Sequence, residues 1–285
     1  MELQLNQKLL LAATMALMFT ACTDEFVIIS PGEPVDKRFT ESMNWNMTHP
    51  STEIIVKSDD YTILTMADIH VGTAINLDKF RTIARTEKPA AVIIDGDLTG
   101  GLPENYVDFE NHFPKDDSLK SFYVAGNHDL WHNGWEEFYS RFGSSSYFFT
   151  VKTPVGSDLY ICIDTGGGTL GELQTEWLTK ILQSIRPAFR RCIVITHINL
   201  FRPRKTESTN LVEEELCFLM DLFTKNKVDM VITGHDHVSD AQVFGVTTYI
   251  QVDALEDGLS NAGYMNMSVI KGKIGYKFVS INNDN

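Results

Sequence analysis

The chain has 285 residues, 43% of them apolar, which is enough for one large globular domain or two small ones. Its 38 acidic against 24 basic residues leave a formal net charge of -14, and this excludes a general nucleic-acid or anionic-membrane binding surface. An anionic substrate is not excluded, because bound cations reverse the local field of a carboxylate-rich pocket.

Residues 1–22 read as an export signal: Lys8, an apolar run from Leu9 to Phe19, then Thr20-Ala21-Cys22. The run is too short to span a bilayer comfortably, and small residues stand where a signal peptidase cuts. The placement of Cys22 resembles a bacterial lipoprotein cleavage box, in which that cysteine is lipidated and anchors the protein in the cell envelope, facing the periplasm or the surface. Phe19 departs from the Leu usual three residues earlier, so a soluble secreted protein is the alternative.

Residues 23–55 contain Pro31, Pro34 and Pro50 with little periodicity, and read as a tether or N-terminal extension. Phe26-Val-Ile-Ile29 offers an edge strand within it. Residues 56–285 then form one catalytic domain, because the chemistry-bearing residues are spread from Asp68 to His237 and need a shared core.

From Tyr61 onward strand and helix patterns alternate. Strands are expected at Tyr61 to Ala67, Ala90 to Ile94, Phe122 to Ala125, Leu159 to Ile163, Cys192 to Thr196 and Met230 to Thr233. Helices are expected near Leu77 to Glu87, Glu104 to Phe113, Leu173 to Ile185 and Val212 to Asn226. Such alternation predicts a layered α/β fold with parallel strands. Three further strands, Val246 to Val252, Tyr264 to Ile270 and Gly275 to Ile281, could pair as a terminal antiparallel sheet. Cys162, Cys192 and Cys217 lie in apolar segments and read as buried thiols, with a Cys162–Cys192 disulfide as the alternative in an oxidising compartment.

Five of the strands end in metal-ligand residues: Asp68 and His70, then Asp97, then Asn127 and His128, then His197, then His235 and His237. Ligands of open α/β sheets collect beyond the carboxyl ends of strands. Carboxylate, amide oxygen and imidazole together suit Mn, Fe or Zn, and with no cysteine at any cluster a zinc-thiolate site is excluded. Two ions about 3.5–4 Å apart need a bridging ligand, and Asp97 falls between the two groups. Such a centre supplies a metal-bound hydroxide to attack phosphorus. His128 can protonate the departing oxygen, with Asp129 orienting its imidazole. Asp164 ends a strand without a neighbouring His and reads as structural.

With Asp68-Ile-His70, Gly96-Asp97, Gly126-Asn127-His128-Asp129, His197 and Gly234-His235-Asp236-His237 in this order, residues from Tyr61 to about Ile250 resemble the calcineurin-like metallophosphoesterase superfamily. The resemblance implies a layered sandwich of two mixed β-sheets flanked by helices, with a dinuclear centre at the strand C-terminal ends. It implies Asp68, His70 and His237 on one divalent ion, Asn127, His197 and His235 on the other, Asp97 between them, and His128 as general acid. No tyrosine follows Gly96-Asp97 where purple acid phosphatases have one, which disfavours that branch. Ile198-Asn199 replaces the His-Pro or Pro that many relatives carry after the histidine, so the neighbouring substrate contacts are expected to differ.

The expected partner is a small phosphoester, with membrane attachment through Cys22. A phosphodiester, including a cyclic nucleotide, is the preferred substrate; phosphomonoesters and lipid-linked pyrophosphates are the alternatives. Arg202, Arg204 and Lys205 either contact phosphate or form a solvated loop, and Trp131 and His132 either face substrate or pack under a loop. Ser144-Ser-Ser146 has no base beside it, and Gly166-Gly-Gly168 lacks the Lys-Ser/Thr of a P-loop, so neither carries the chemistry. A metal-binding scaffold without turnover is the non-enzyme reading, and the intact ligand set argues against it. An amide or carbon-centred metallohydrolase would more often show His-Glu-x-x-His, which is absent.

Overall fold

The alternating apolar runs resolve into two stacked β-sheets with helices on both outer faces. The computed structural model describes residues 33–115, 118–201 and 209–282. The export signal, Cys22, Phe26 to Ile29, Arg202, Arg204 and Lys205 lie outside them.

In chain order the elements are α1 (Val35–Thr48), β1 (Glu53–Ile55), β2 (Tyr61–Met66), α2 (Ile75–Glu87), β3 (Ala91–Asp95), α3 (Pro103–His112) and β4 (Ser121–Val124). A 3-10 turn (His128–Asn133) leads into α4 (Gly134–Phe142), β5 (Tyr147–Thr153), β6 (Gly156–Cys162), α5 (Gly171–Ser184) and β7 (Cys192–Ile195). Then come α6 (Glu213–Lys225), β8 (Met230–Thr233), β9 (Asp240–Phe244), β10 (Thr247–Gln251), β11 (Gly263–Ile270) and β12 (Lys273–Ser280). One sheet has the order β1-β5-β6-β7-β8-β10-β9 and the other β12-β11-β2-β3-β4. Both are mixed: β2, β3 and β4 are parallel, with β11 antiparallel beside β2, and β6, β7, β8 and β10 are parallel, with β5 antiparallel beside β6 and β9 beside β10.

Alternation along the strands divides their side chains between layers. Ile63, Ile93 and Val124 from one sheet meet Phe149, Tyr160, Ile193 and Ile232 from the other in the central layer. Leu64, Val92 and Ile94 face outward onto Leu77 and Phe80 of α2, Phe109 of α3 and Phe138 of α4. Ile161, Val194 and Val231 face Leu178 and Leu182 of α5 and Leu219 and Phe223 of α6. Each such fully buried side chain contributes about 1.5–3 kcal/mol relative to exposure. A strand with both faces covered reads as a continuous apolar run, as these do.

At the end of the sandwich away from the ligand-bearing loops, one carboxylate knits the sheets together. Asp158, fully buried at the start of β6, accepts a hydrogen bond from the Tyr61 hydroxyl of β2 at 2.8 Å. It also accepts from Arg190 at 3.1 and 2.8 Å and from Arg191 at 3.0 and 3.1 Å. Asp158→Ala leaves the guanidinium groups and the phenol without their shared acceptor, so denaturant unfolding is expected to show a loss of about 3–5 kcal/mol. A loss under about 1 kcal/mol would mean that water replaces the carboxylate at little cost.

Four expectations change. The described part of the 23–55 segment belongs to the folded unit: α1 runs over Val35–Thr48 and β1 pairs in parallel with β5. The helix escaped the sequence reading because its buried residues include Arg38 and Ser42, so no apolar stripe marks its inner face. The three C-terminal strands do not form a sheet of their own. β10 is parallel to β8, while β11 and β12 extend the other sheet through β2. A Cys162–Cys192 disulfide does not fit. Cys162 is in register with Ile195 and Cys192 with Leu159, which separates them by about 10 Å along the strands at 3.3 Å per residue. They also face different layers. Cys217, on α6, is exposed rather than buried.

Candidate metal centre

The loops after β2, β3 and β4 of one sheet and after β7 and β8 of the other converge at one end of the sandwich. Backbone hydrogen bonds lace them together: the His70 N–H donates to the Asp97 carbonyl at 3.0 Å, the Asp68 N–H to that of Gly96 at 3.1 Å, and the Gly234 N–H to that of His197 at 3.0 Å. Asp68, His70, Asp97, His235 and His237 all have positive φ, between 40° and 82°. For residues with a Cβ this left-handed region costs of order 1–3 kcal/mol each and persists where function needs it. Here it turns each side chain back over the strand end.

Two groups of donor atoms that share no residue result, Asp68 with His70 and His237, and Asp97 with His197 and His235, and a third, His70 with Asp97 and His128, links them, each with ligand atoms within 4.8 Å of one another. Asn127 is buried on the loop after β4, and the family resemblance assigns it to the group with His197 and His235. The Asp97 carboxylate stands between the two groups. Its Oδ2 lies 3.2 Å from His197 Nε2, 3.7 Å from His70 Nε2 and 3.9 Å from His128 Nε2. Its Oδ1 accepts the His128 backbone N–H at 2.7 Å, so Oδ2 is the oxygen that both groups share. Asp68 is fixed in the same manner, with Oδ2 accepting the His235 N–H at 2.7 Å and Oδ1 lying 3.4 Å from His237 Nε2. Gly126 permits this approach, because a Cβ there would collide with the Asp97 carboxylate and N–H.

The donor set fits divalent cations on a direct observation. Asp68 Oδ1, Asn127 Oδ1 and His197 Nε2 are buried without a hydrogen-bond partner, although buried polar groups are nearly always satisfied. Asp68 Oδ1 and His197 Nε2 lie 3.8 Å apart, so two unsatisfied ligand atoms face each other. His197 shows why: its Nδ1 donates to the Asp95 carbonyl at 2.8 Å, which fixes the tautomer and leaves the lone pair of Nε2 for a metal.

Electrostatics agree. Burial alone would raise the Asp97 carboxyl, but His197, His128 and His70 hold it well below the usual carboxylate range. Burial would lower the His197 imidazole, yet Asp97 and Asp68 push it well above its ordinary value. His237 is raised by the Asp68 carboxylate, whose Oδ1 lies 3.4 Å from its Nε2. A proton on these rings takes the place of positive charge that a divalent cation would supply more strongly.

His128 lies at the rim with its side chain 30% exposed, its ring 4.5 Å from that of His70 and 3.7 Å from that of Trp131. Burial pulls its imidazole down to about 4 against the attraction of Asp97. Asp129 does not orient it. The Asp129 carboxylate is fully buried and accepts N–H groups from Leu98 at 3.3 Å, Thr99 at 3.1 Å and Gly126 at 2.9 Å. It ties the Asp97 loop to the Asn127 loop, and burial followed by repulsion from Asp97 raises it to about 7. Trp131 does not pack under a loop: it is 38% exposed beside His128, while His132 is exposed with a positive φ of 54°.

Glu256 and Asn261 carried no sequence signal, and the partners of Asn199 carried none either. Glu256 Oε2 lies 3.8 Å from His237 Nδ1, and Asn261 donates to the His237 carbonyl at 2.8 Å. Asn199, where the sequence departs from His-Pro, donates to Asp236 at 2.8 Å and to Gln251 at 2.6 Å, joining the His197 loop to the His235–His237 loop. Their approach depends on loop geometry that spacing does not encode.

The chain is similar in fold to a dimetal phosphatase from Danio rerio, with 13% identity over 78% of this chain and 96% of that one and a TM-score of 0.64. The anchor in the inner membrane complex of Plasmodium is similar over 79% of this chain and 86% of its own, with 15% identity and a TM-score of 0.63. A purple acid phosphatase from yellow lupin seeds matches over 80% of this chain and 53% of its own, at 14% identity and a TM-score of 0.62. At such identities the likeness is one of fold. No curated protein sequence matches the chain. The family model described as calcineurin-like phosphoesterase matches residues 61–239, which carry every one of the candidate metal-ligand residues. This chain of two helix-flanked sheets, with its paired His and Asp clusters, therefore belongs to the calcineurin-like phosphoesterase family and is a metal-dependent hydrolase of phosphoester bonds.

Proposed function

We propose that the protein is a phosphodiesterase acting on small phosphodiesters, with a nucleotide or cyclic nucleotide as the preferred class. The observation that carries this reading is the rim of the site. His128 stands 3.9 Å from Asp97 Oδ2, and its ring packs against Trp131, an exposed aromatic beside the proton donor. An exposed indole at that place suits a leaving group that carries a ring, such as a nucleobase.

Asp68, His70 and His237 would hold one divalent ion and Asn127, His197 and His235 the other, with Asp97 shared. Bound there, the two ions supply positive charge on the phosphoryl oxygens and lower the pKa of a water. The rest is the work of the chain. Asp97 is aimed by the His128 N–H, so the two ligand groups and the proton donor are set by one hydrogen bond. Burial pulls the His128 imidazole down to about 4, and the negative charge of a phosphoester beside it raises its affinity for a proton, which the partly exposed ring takes from solvent. That proton then passes from the ring to the departing oxygen.

The test is a matched series of phosphomonoesters and phosphodiesters, assayed with Mn, Fe or Zn. Preferential diester cleavage is expected. Preferential monoester cleavage would move the assignment to a phosphatase, and turnover confined to lipid-linked pyrophosphates would move it to lipid metabolism. Trp131→Ala is expected to raise KM for a nucleotide diester by about 5- to 150-fold, from stacking of about 1–3 kcal/mol, and to leave a ring-free diester unaffected. An equal change for both substrates would remove the stacking role.

We also propose that the enzyme works in the cell envelope, anchored through lipid on Cys22. The support is the Lys8, Leu9 to Phe19 and Ala21-Cys22 pattern. Cys22→Ala should release the protein from the membrane fraction; unchanged partitioning would contradict the anchor.

A further inference from the structure

Helix α1 precedes the 61–239 span that carries the ligands, yet its inner face is built from polar residues that reach toward them. Arg38, Glu41, Ser42 and Asn46 lie at helical spacing on one face. The Arg38 guanidinium, with its side chain 3% exposed, donates to Asp164 Oδ2 at 2.7 Å and to Oδ1 at 3.2 Å, and the Asp164 side chain is 1% exposed. Asp164 lies just beyond β6, at the level where other strands present ligands, but it is engaged by Arg38 and by the Gly166 N–H at 3.0 Å. Gly166 in turn lies directly against the Asn127 loop: a Cβ on it would sit 2.8 Å from the Gly126 carbonyl oxygen and 3.1 Å from Leu130.

A second route runs in parallel. Ser42 Oγ accepts the Ser145 N–H at 3.3 Å, and Ser145 Oγ accepts the Ala125 N–H at 2.9 Å. Ala125 and Gly126 are the two residues before Asn127. Farther along the helix, Asn46 donates to the Ser146 carbonyl at 2.8 Å, and Glu41 accepts the Trp135 indole N–H of α4 at 2.6 Å. Thus α1 grips the Asn127–His128 turn from the Asp164 loop, the Ser144–Ser146 segment and the following helix. The Ser-Ser-Ser and Gly-Gly-Gly stretches, which carry no chemistry of their own, are the contact points.

We propose that α1 is a strut of the metal centre and that Arg38 is a positioning residue for Asn127 and His128, acting through Asp164 and Gly166. The inference rests on the roles given above to Asn127 and His128. Without the guanidinium, Asp164 is a buried carboxylate lacking its counter-charge, and its hold on Gly166 changes. Asn127, the ligand nearest these contacts, then loses its alignment with His197 and His235, while Asp68, His70 and His237, on the loops after β2 and β8, keep theirs.

The experiment is a Mn(II) titration of the full chain, read by calorimetry, beside melting temperature, kcat and KM on a diester. Arg38→Met is expected to weaken one of the two ions by about tenfold, within the range for residues that support ligands, and to lower kcat with little change in KM. Arg38→Lys keeps the charge but not the two-point geometry, so it is expected to fold and to show the same selective loss at smaller size. Wild-type affinity for both ions in folded Arg38→Lys and Arg38→Met would overturn the proposal. So would an equal weakening of both ions together with a fall in melting temperature, which describes a merely structural helix. Asn127→Ala separates this from the underlying assignment: if it keeps both ions, the ligand role of Asn127 fails, and the strut with it.

Discussion

Asp97→Asn is expected to lower phosphoester turnover by about a thousandfold or more, because a shared ligand supports several kcal/mol of transition-state charge stabilisation and each 1.36 kcal/mol is tenfold. The substitution is nearly isosteric, so what it removes is specific. Asp97 Oδ1 is claimed by the His128 N–H at 2.7 Å, and an asparagine would keep its oxygen there to accept that bond. Its amide NH2 would then occupy the position of Oδ2, facing His197 and His70. An amide nitrogen offers no lone pair to a metal and carries no negative charge. Metal analysis should therefore show fewer ions per chain alongside the loss of turnover. Near-normal activity with a full metal complement would defeat the assignment of Asp97 as the shared ligand.

His128→Ala should lower turnover by about 10²–10⁴-fold while leaving metal content unchanged, which separates proton transfer from metal binding. The loss should depend on the leaving group. An alkoxide departs poorly without a proton, whereas a nitrophenolate needs little help, so the defect should shrink with chromogenic esters. If all esters lose activity equally, His128 acts by shaping the Asp97 loop rather than by delivering a proton. Its backbone N–H is retained in the variant, so that outcome would point to the ring packed between His70 and Trp131.

The candidate ligands were legible in the sequence because each ends an apolar run. A strand covered on both faces is written as continuous Val, Ile and Ala, and Asp68, Asp97, Asn127, His197 and His235 follow such runs within a few residues. That local pattern fixed the strands, and strand ends fixed the site. What the sequence hid is of a different kind. Asp129 stands beside His128 in the chain, and adjacency suggested that it orients the ring. In three dimensions adjacent side chains diverge, and the Asp129 carboxylate turns inward to the N–H groups of Leu98, Thr99 and Gly126. Helix α1 was hidden because burial of Arg38 and Ser42 leaves no apolar periodicity. Nor does any residue type announce a left-handed Asp or His; the positive φ at five of the ligand positions is imposed by the converging loops.

The C-terminal strands show the remaining limit. Val246 to Val252 and Tyr264 to Ile270 both read as strands, and the element types were right. Their partners were set by the parallel slot beside β8 and the antiparallel edge beside β2, which are properties of the assembled sheets. Local sequence carries strand identity more strongly than strand pairing.

The central claim is that two divalent ions held by these residues are required for phosphoester hydrolysis. Its most direct test is to purify the protein, strip it with chelator, and follow ions per chain and turnover together as Mn, Fe or Zn is restored. The account predicts that activity vanishes with the metal and returns as the count approaches two per chain. Full turnover in the metal-stripped protein, or two bound ions without hydrolysis of any phosphoester, would contradict it.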